Sequence, residues 1–432
     1  MKLSVVGTGY LGVTHAAAMA ALEHEVVGVD VDEGKVDSLR AGRVPFFEPG
    51  LPELLAEQVT AGRLHFTTSL AAAVEFGDVH FVCVGTPQKQ GEYAADLRHV
   101  DAAFKALTAL VGPADTVVGK STVPVGTAAR LARQLAPSGS SLVWNPEFLR
   151  EGHAVHDTLR PDRVVLGVTD EQGLAVMQQV YAPIFARDTP TVVTDLATAE
   201  LVKVAANSFL ATKISFINAI AEVCEVTGAD VVALADAIGH DARIGRKSLN
   251  AGLGFGGGCL PKDIRAFVAR AGELGVDQVV SFLKQVDEIN RRRRARTIDL
   301  ARELCDRSFA GRRVAVLGAA FKPDSDDVRD SPALEVARSI QRAGAAVRVY
   351  DPEAMASAKD MHPTLAYAPS ALEACQDADV VLHLTEWREF RELDPAELAR
   401  VVRRRRLVDG RNVLDGAAWR GAGWTVRALG RP

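Results

Sequence analysis

Three glycines near the start, Gly7-x-Gly9-x-x-Gly12, restrict the fold more than any other feature because of what flanks them. An apolar run, residues 2 to 7, leads into them, a helical periodicity through Met19 and Leu22 follows, and a second apolar run spans Glu25 to Asp30. Strand, glycine turn, helix and strand make a βαβ unit. In that setting the glycines permit, in turn, a tight bend, the close approach of backbone to a pyrophosphate, and close packing of the helix. Tyr10 and Leu11 belong to the same turn, and Asp30 closes the second strand. A carboxylate there accepts hydrogen bonds from the ribose hydroxyls of an adenosine and repels a 2′-phosphate. NAD rather than NADP is therefore the expected cofactor. Lys35, the one nearby cation, is expected to meet a ribose or solvent.

Further apolar runs at Val79 to Val84, Thr116 to Gly119 and Ser141 to Trp144 are separated by helix-like segments, the grammar of a parallel sheet wound on both faces. This first domain is expected to occupy residues 1–195. Leu196 to Thr227 contains no Gly or Pro, and Leu201, Val204, Phe209, Phe216, Ile220 and Val223 recur at helical intervals, which predicts one long helix. A second such stretch covers Asp277 to Cys305. Residues 196–305 thus read as a helical piece joining two sheets, and such pieces often carry a subunit contact, so a homodimer is expected. At Arg313 the βαβ grammar restarts: strand Val314 to Leu317, Gly318, helix Ser331 to Ala343, strand Ala346 to Tyr350, Asp351, and a further strand Val380 to Leu384. Ala320 and Phe321 stand where tight-turn glycines would be, so residues 306–432 form a Rossmann-like domain adapted to another ligand. The fold class is α/β: two Rossmann-like, doubly wound parallel-sheet domains joined by a long central helical region.

With 432 residues, a formal charge of -5 and no bulk basic field, nucleic acid and anionic membrane are poor partners. The runs Arg291 to Arg294 and Arg403 to Arg406 are read as solvated faces. Five cysteines without paired close spacing, no leading signal sequence and no membrane-length apolar stretch favour a reducing cytoplasm.

Leu253-Gly254-Phe255-Gly256-Gly257-Gly258-Cys259-Leu260-Pro261-Lys262-Asp263 is the most informative stretch. Pro261 suits the first position of a helix, which puts Cys259 at a helix N-terminus, where the macrodipole and open N–H groups favour a thiolate. The glycines leave the backbone there open to a ligand. Cys83, Cys224, Cys305 and Cys375 are read instead as small buried hydrophobes. Asp263 falls one turn beyond Cys259 on the same helix face, able to hold a proton or water beside the sulfur. Lys203 and Asn207 are likewise one turn apart among apolar neighbours, a pair directed either into a site or to the surface. Asn145 to Gly152 and Lys120-Ser121-Thr122 both follow apolar strands, and loops past the carboxyl ends of parallel strands are where open α/β sheets bind ligands. Glu147 is the candidate acid or base there, with Thr122 beside it.

Taken in order, Gly7 to Gly12, Gly85-Thr86-Pro87, Lys120 to Thr122, Asn145 to Gly152, Lys203 with Asn207, Arg243-Ile244-Gly245, Gly254 to Asp263, Phe321-Lys322-Pro323 and Asp409-Gly410-Arg411 resemble the UDP-glucose/GDP-mannose dehydrogenase family over nearly the whole chain, and its UDP-glucose branch most. The resemblance implies oxidation of a nucleotide sugar to its acid with NAD used twice, and no metal. It implies that Phe148, Leu149, Arg150 and Glu151 line the UDP-sugar pocket with Lys203 and Asn207. Arg243, Leu249, Asn250 and Gly256 would add to it, Arg243 across a subunit boundary, and Phe321, Lys322 and Arg411 would hold the nucleotide end. Thr86, Thr122, Glu151 and Arg329 would serve the cofactor.

The chemistry itself follows from the groups present. Asp263, through water, or Lys203 takes the C6 hydroxyl proton as the first hydride leaves, and Lys203 steadies the oxyanion. Cys259 captures the aldehyde, a second hydride leaves a thiohemiacetal, and water activated by Glu147 opens the thioester while Asn207 holds the oxygen. Gly258 and Leu260 depart from the family, where Ser and an aromatic are frequent. GDP-mannose and UDP-N-acetylmannosamine stay open as substrates. A one-hydride dehydrogenase of hydroxyacids or polyols, and a non-catalytic NAD-binding regulator, are the readings from other classes.

Overall fold

The computed structural model describes residues 1–432. The chain divides into two units: Met1–Ala206 with Arg265–Gly275, and Asn207–Ile264 with Val276–Pro432.

The first unit is built on eight strands: β1 (Lys2–Val6), β2 (Glu25–Val29), β3 (Leu64–Thr67), β4 (Val79–Val82), β5 (Thr116–Gly119), β6 (Ser141–Trp144), β7 (Val164–Val168) and β8 (Thr191–Thr194). Their order in the sheet is β3-β2-β1-β4-β5-β6-β7-β8. The central strands are buried on both faces because helices cover both. On one face the helix Tyr10–Ala21 presents Val13, Ala16, Ala17, Met19 and Ala20 to Leu3, Val5 and Phe81. On the other, Phe104, Leu107, Leu131 and Leu135 close over Val117 and Trp144.

One pairing departs from the expected parallel sheet: β7 runs antiparallel to β6, through Val143 with Val168 and Trp144 with Gly167. The reason is the connection. A parallel neighbour needs a crossover to the far edge, whereas an antiparallel one is entered from the edge its predecessor leaves. Residues 145–163 therefore remain at the carboxyl edge, and that segment contains Glu147.

In the second unit, β9 (Arg313–Leu317), β10 (Ala346–Tyr350), β11 (Ala366–Tyr367), β12 (Val380–His383), β13 (Arg406–Asp409) and β14 (Thr425–Ala428) form an all-parallel sheet in the order β11-β10-β9-β12-β13-β14. Asp351 ends β10 as Asp30 ends β2, but it is fully buried and accepts hydrogen bonds from the N–H groups of Ala319 and Ala320 at 2.7 and 3.0 Å and from Trp387 Nε1 at 3.0 Å. A carboxylate so enclosed cannot read a ribose. The second sheet keeps the Rossmann frame without its dinucleotide reader.

The long helix forms over Leu196–Thr227 as its pattern predicts. The second helical stretch is shorter than expected, Phe282–Leu304, because residues 277–281 form turns ahead of it. Within that helix the solvated-face reading of the arginine run fails for half of it. Arg293 is fully buried on Glu225 (2.8 Å) and Glu222 (3.7 Å), and Arg294, 3% exposed, meets Asp330 (3.1 Å), Glu335 and the Phe255 carbonyl (3.2 Å). Consecutive residues step about 100° around a helix, so four in a row cannot share a solvent face. Of the run Arg403 to Arg406, Arg403 is exposed, while Arg404 and Arg406 pair with Asp306 at 2.5 and 3.1 Å.

Candidate active site

The glycine turn has the geometry its residues require. Gly7 adopts φ +90°, and a side chain at Gly12 would collide with the Gly7 carbonyl oxygen. Nothing of the protein lies within 4 Å of where a Cβ of Gly9 would be, so the turn offers open backbone on the side a pyrophosphate needs. Asp30 accepts from Thr8 N at 2.9 Å and Thr8 Oγ1 at 3.0 Å, and it pairs with Lys35 Nζ at 2.9 Å. Lys35 thus meets the carboxylate beside it rather than solvent. Burial alone would raise the Asp30 carboxyl, but the hydrogen bonds from Lys35, Asp32 and Thr8 outweigh it and hold the group below the usual range. On the same rim Thr86 Oγ1 donates to the Thr122 carbonyl at 2.8 Å, joining the two loops expected to serve the cofactor. Leu11 packs onto the core behind the turn, and Tyr10 donates its hydroxyl to Glu48.

Glu147 and Lys203 come together in the first unit, with Lys203 Nζ 2.9 Å from Glu147 Oε1. The other oxygen, Oε2, accepts from Leu149 N at 2.8 Å, so the carboxylate is aimed by its own loop. Lys203 is 5% exposed, which settles its pattern against the surface, and the Phe148 ring lies 5.6 Å below it. Under this pair Lys120 is buried. Its Nζ donates to Asn145 Oδ1 at 2.8 Å, Tyr181 donates to the same oxygen at 2.7 Å, and Asn145 Nδ2 donates to the Val165 carbonyl at 2.8 Å. Burial pushes the Lys120 ammonium down to about 8, against the pull of Cys83 and Glu147. Arg150 is bound to Asp157 at 2.7 and 2.8 Å.

The second unit holds the thiol. Cys259 is exposed and directly precedes the helix Leu260–Glu273, so Pro261 is its second residue rather than its first. The other four cysteines are buried, and burial pushes the thiols of Cys83 and Cys375 up to about 12 and that of Cys305 to about 11. Only Cys259 has the setting of a nucleophile. Asp263 N donates to the Cys259 carbonyl at 2.9 Å, fixing the first helical turn. The Asp263 carboxylate, 2% exposed, accepts from Asn207 Nδ2 at 2.7 Å and Lys262 Nζ at 2.5 Å.

Behind the thiol the glycine loop is held by its backbone. Asn290 bridges Phe255 N (2.8 Å) and its carbonyl (2.9 Å), and Gly257 N donates to the Arg329 carbonyl at 2.9 Å. Arg411 donates to the carbonyls of Leu384 (2.7 Å), Gly254 (3.0 Å) and Phe321 (3.1 Å), so it joins three loops that residues 256, 321 and 322 belong to or adjoin. Lys322 lies 5.6 Å from the Phe321 ring, and Arg329 is paired with Asp327 at 2.7 Å. The remaining residues from the sequence stand outside this group. Arg243 is bound to Asp241 (2.6 Å) with its side chain 90% exposed, Leu249 is core, and Asn250 accepts from Arg246 at 2.7 Å. Glu151 flanks Gly152, whose N–H donates to Glu48 at 2.6 Å.

Sequence reasoning missed Glu48, Glu200 and Asn290, and it gave Lys120 no role beyond its place in the Lys120-Ser121-Thr122 rim. Glu48 lies in irregular chain and Glu200 and Asn290 lie on helices, where a polar residue offers no reason to expect burial. Glu200, one turn before Lys203, accepts from Gly126 N (2.7 Å) and Ala128 N (2.6 Å), and burial pushes its carboxyl up to about 6.

Comparison with known proteins gives three consecutive matches to the UDP-glucose/GDP-mannose dehydrogenase family: its NAD binding domain over residues 1–185, its central domain over 197–292 and its UDP binding domain over 315–416. The chain is 43% identical to a UDP-glucose 6-dehydrogenase of Rhizobium meliloti (strain 1021) over the full length of both. It is 40% identical to the UDP-glucose 6-dehydrogenase TuaD of Bacillus subtilis (strain 168), covering all of this chain and 93% of that one. A solved UDP-glucose dehydrogenase from Pyrobaculum islandicum superposes with a TM-score of 0.89 at 40% identity, covering 98% of each chain.

Proposed function

Because the chain belongs to the UDP-glucose/GDP-mannose dehydrogenase family, we propose that it is an NAD-dependent UDP-glucose 6-dehydrogenase, oxidising C6 of the sugar to the carboxylate of UDP-glucuronate. The observation that carries this reading is the contrast among the cysteines: the one exposed thiol stands at a helix N-terminus, one turn from a buried carboxylate held by Asn207 and Lys262. A dehydrogenase that stops at an aldehyde or ketone has no use for such a thiol.

The open backbone at Gly9 and the Asp30 carboxylate fit NAD, which accepts a hydride from C6 in each of the two oxidations. In the first, the C6 hydroxyl proton passes to Asp263 through water while the Lys203 ammonium steadies the oxygen. Cys259 Sγ then adds to the aldehyde carbon, and the proton that Asp263 took in the first oxidation returns through water to the carbonyl oxygen to give a thiohemiacetal. Loss of that proton together with the second hydride leaves a thioester. Glu147 takes a proton from water as it adds to the thioester carbon, the C–S bond breaks, and the thiolate is restored with the acid. Asn207 holds the reacting oxygen throughout.

Residues 1–195, 196–305 and 306–432 serve in this reading as NAD-binding, helical and UDP-sugar-binding domains. No helix is long and apolar enough to cross a membrane. Its need for dissolved NAD and UDP-glucose is what assigns the proposed enzyme to the cytoplasm. Turnover on a panel of nucleotide sugars tests the substrate. UDP-glucose should be oxidised at least tenfold faster than GDP-mannose or UDP-N-acetylmannosamine, and a preference for either of those would replace it. Cys259→Ala should form no acid, and uronate made by that variant would sink the covalent route.

A further inference from the structure

Glu48 lies in Pro45-Phe46-Phe47-Glu48-Pro49-Gly50, a segment with no role in the reaction so far described, yet it is 1% exposed. Its carboxylate gathers three donors. Oε2 accepts from Gly152 N at 2.6 Å and from the Tyr10 hydroxyl, and Oε1 accepts from Ala154 N at 2.7 Å. Gly152 N also lies 3.3 Å from the Tyr10 oxygen, so the three groups are mutually bonded. Tyr10 is the first residue of the helix that follows the glycine turn, and its ring packs on Phe46 at a centroid distance of 4.9 Å. Gly152 ends the loop that begins at Glu147, in the left-handed conformation (φ +79°). Burial and the neighbouring Glu48 both push the Tyr10 hydroxyl upward, so it remains a donor at any working pH.

One buried carboxylate therefore ties the turn that takes the pyrophosphate to the loop that carries Glu147, Phe148 and Glu151. We propose that Glu48 is a positioning residue that couples occupancy of the cofactor turn to the order of the Glu147–Gly152 loop. A backbone N–H in a buried setting must have a partner, and Gly152 and Ala154 share theirs with the cofactor turn. Any shift of Tyr10 as the turn fills or empties is felt at the same oxygen that anchors Gly152. A charged acceptor bonded three times holds the loop in one place more firmly than a neutral one. In the proposed reaction, cofactor must be exchanged between the two oxidations while the sugar stays bound. Through Glu48 the loop would tighten each time cofactor refills the turn and loosen as it leaves.

The coupling rests on the proposed function only for its purpose, and its test has an arm that does not use the sugar. Amide hydrogen exchange at Gly152 and Ala154 is measured with and without NAD in the wild-type chain, in Tyr10→Phe and in Glu48→Gln. NAD should slow exchange at both amides in the wild type at least threefold. It should have no such effect in Tyr10→Phe, where the loop bonds remain but the link is cut. In Glu48→Gln exchange should be fast with or without NAD. Equal NAD-induced protection in wild type and Tyr10→Phe would overturn the coupling, even if turnover fell. A kinetic arm follows on UDP-glucose. Tyr10→Phe should raise the KM for NAD several-fold with kcat changed less, and combining it with Glu48→Gln should raise that KM no further than Glu48→Gln does alone. Multiplying effects in the double variant would mean two independent contacts and would also overturn it. A wild-type chain that shows the exchange effect but does not oxidise UDP-glucose would sink the proposed function and leave the coupling standing.

Discussion

Arg293 has no exposed surface, and its guanidinium meets Glu225 directly and Glu222 at longer range. A buried charge persists only when paired, and removing one partner leaves the other stranded at about 3–5 kcal/mol. The two halves of this pair are not equivalent, because Glu225 also holds Arg296 Nε at 2.6 Å. Glu225→Gln should therefore lower the melting temperature more than Arg293→Met does, and the reverse order would contradict the assignment of partners. Glu200 makes a second prediction, with a sign. Its carboxyl is raised by burial to about 6 from 4.5, so between those values the folded chain holds a proton that the unfolded chain has lost. Stability from this group is present below pH 4.5 and is lost as pH rises through 6, a change of about 2 kcal/mol at 1.36 kcal/mol per unit. Denaturant unfolding at pH 4.5 and 6.5 should show that slope in the wild-type chain and a flatter one in Glu200→Gln. Equal slopes would remove Glu200 as the source. Neither role was legible in the sequence, where a Glu on a helix and an Arg in a run of four look solvated.

What was legible belongs mostly to elements. The Leu196–Thr227 helix follows from the missing Gly and Pro and the apolar spacing, and the first βαβ unit follows from its glycines. Lys203 and Asn207 were readable as a directed pair because one helix fixes their spacing. Their partners, Glu147 and Asp263, lie 56 positions away from each in the chain, and nothing local encodes such a distance. The direction of β7 was equally hidden, since a buried apolar strand reads the same either way. Its consequence is that both ends of residues 145–163 sit at the carboxyl edge, where Asn145 pins β6 to the start of β7 through Lys120, Tyr181 and the Val165 carbonyl. Asn145→Ala removes the shorter partner of the buried Lys120 ammonium, leaving the Tyr181 hydroxyl at 3.4 Å, and takes a donor from the Val165 carbonyl. It should cost about 2–4 kcal/mol of stability and lower kcat for UDP-glucose more than it raises KM. An unchanged kcat in a folded variant would show that Glu147 does not depend on this anchor.

For the molecule as a whole, the long helix leaves Phe209, Phe216, Val223 and Val226 at 67, 51, 56 and 88% exposure. Three of them recur every seven residues, the spacing of one helix face, and an apolar stripe of this kind is poorly tolerated in water. We propose that a second copy of the chain covers it. Sedimentation should give twice the 46.1 kDa chain mass and shift toward a single chain in Phe216→Lys. A wild-type monomer would contradict this.

In the proposed reaction one substrate is oxidised twice at a thiol that holds it between steps. The direct measurement is the ratio of NADH formed to UDP-glucose consumed, with the sugar limiting. A ratio of two, with UDP-glucuronate as product and no aldehyde trapped by added hydroxylamine, is the predicted result. A ratio of one, with aldehyde in solution, would contradict it.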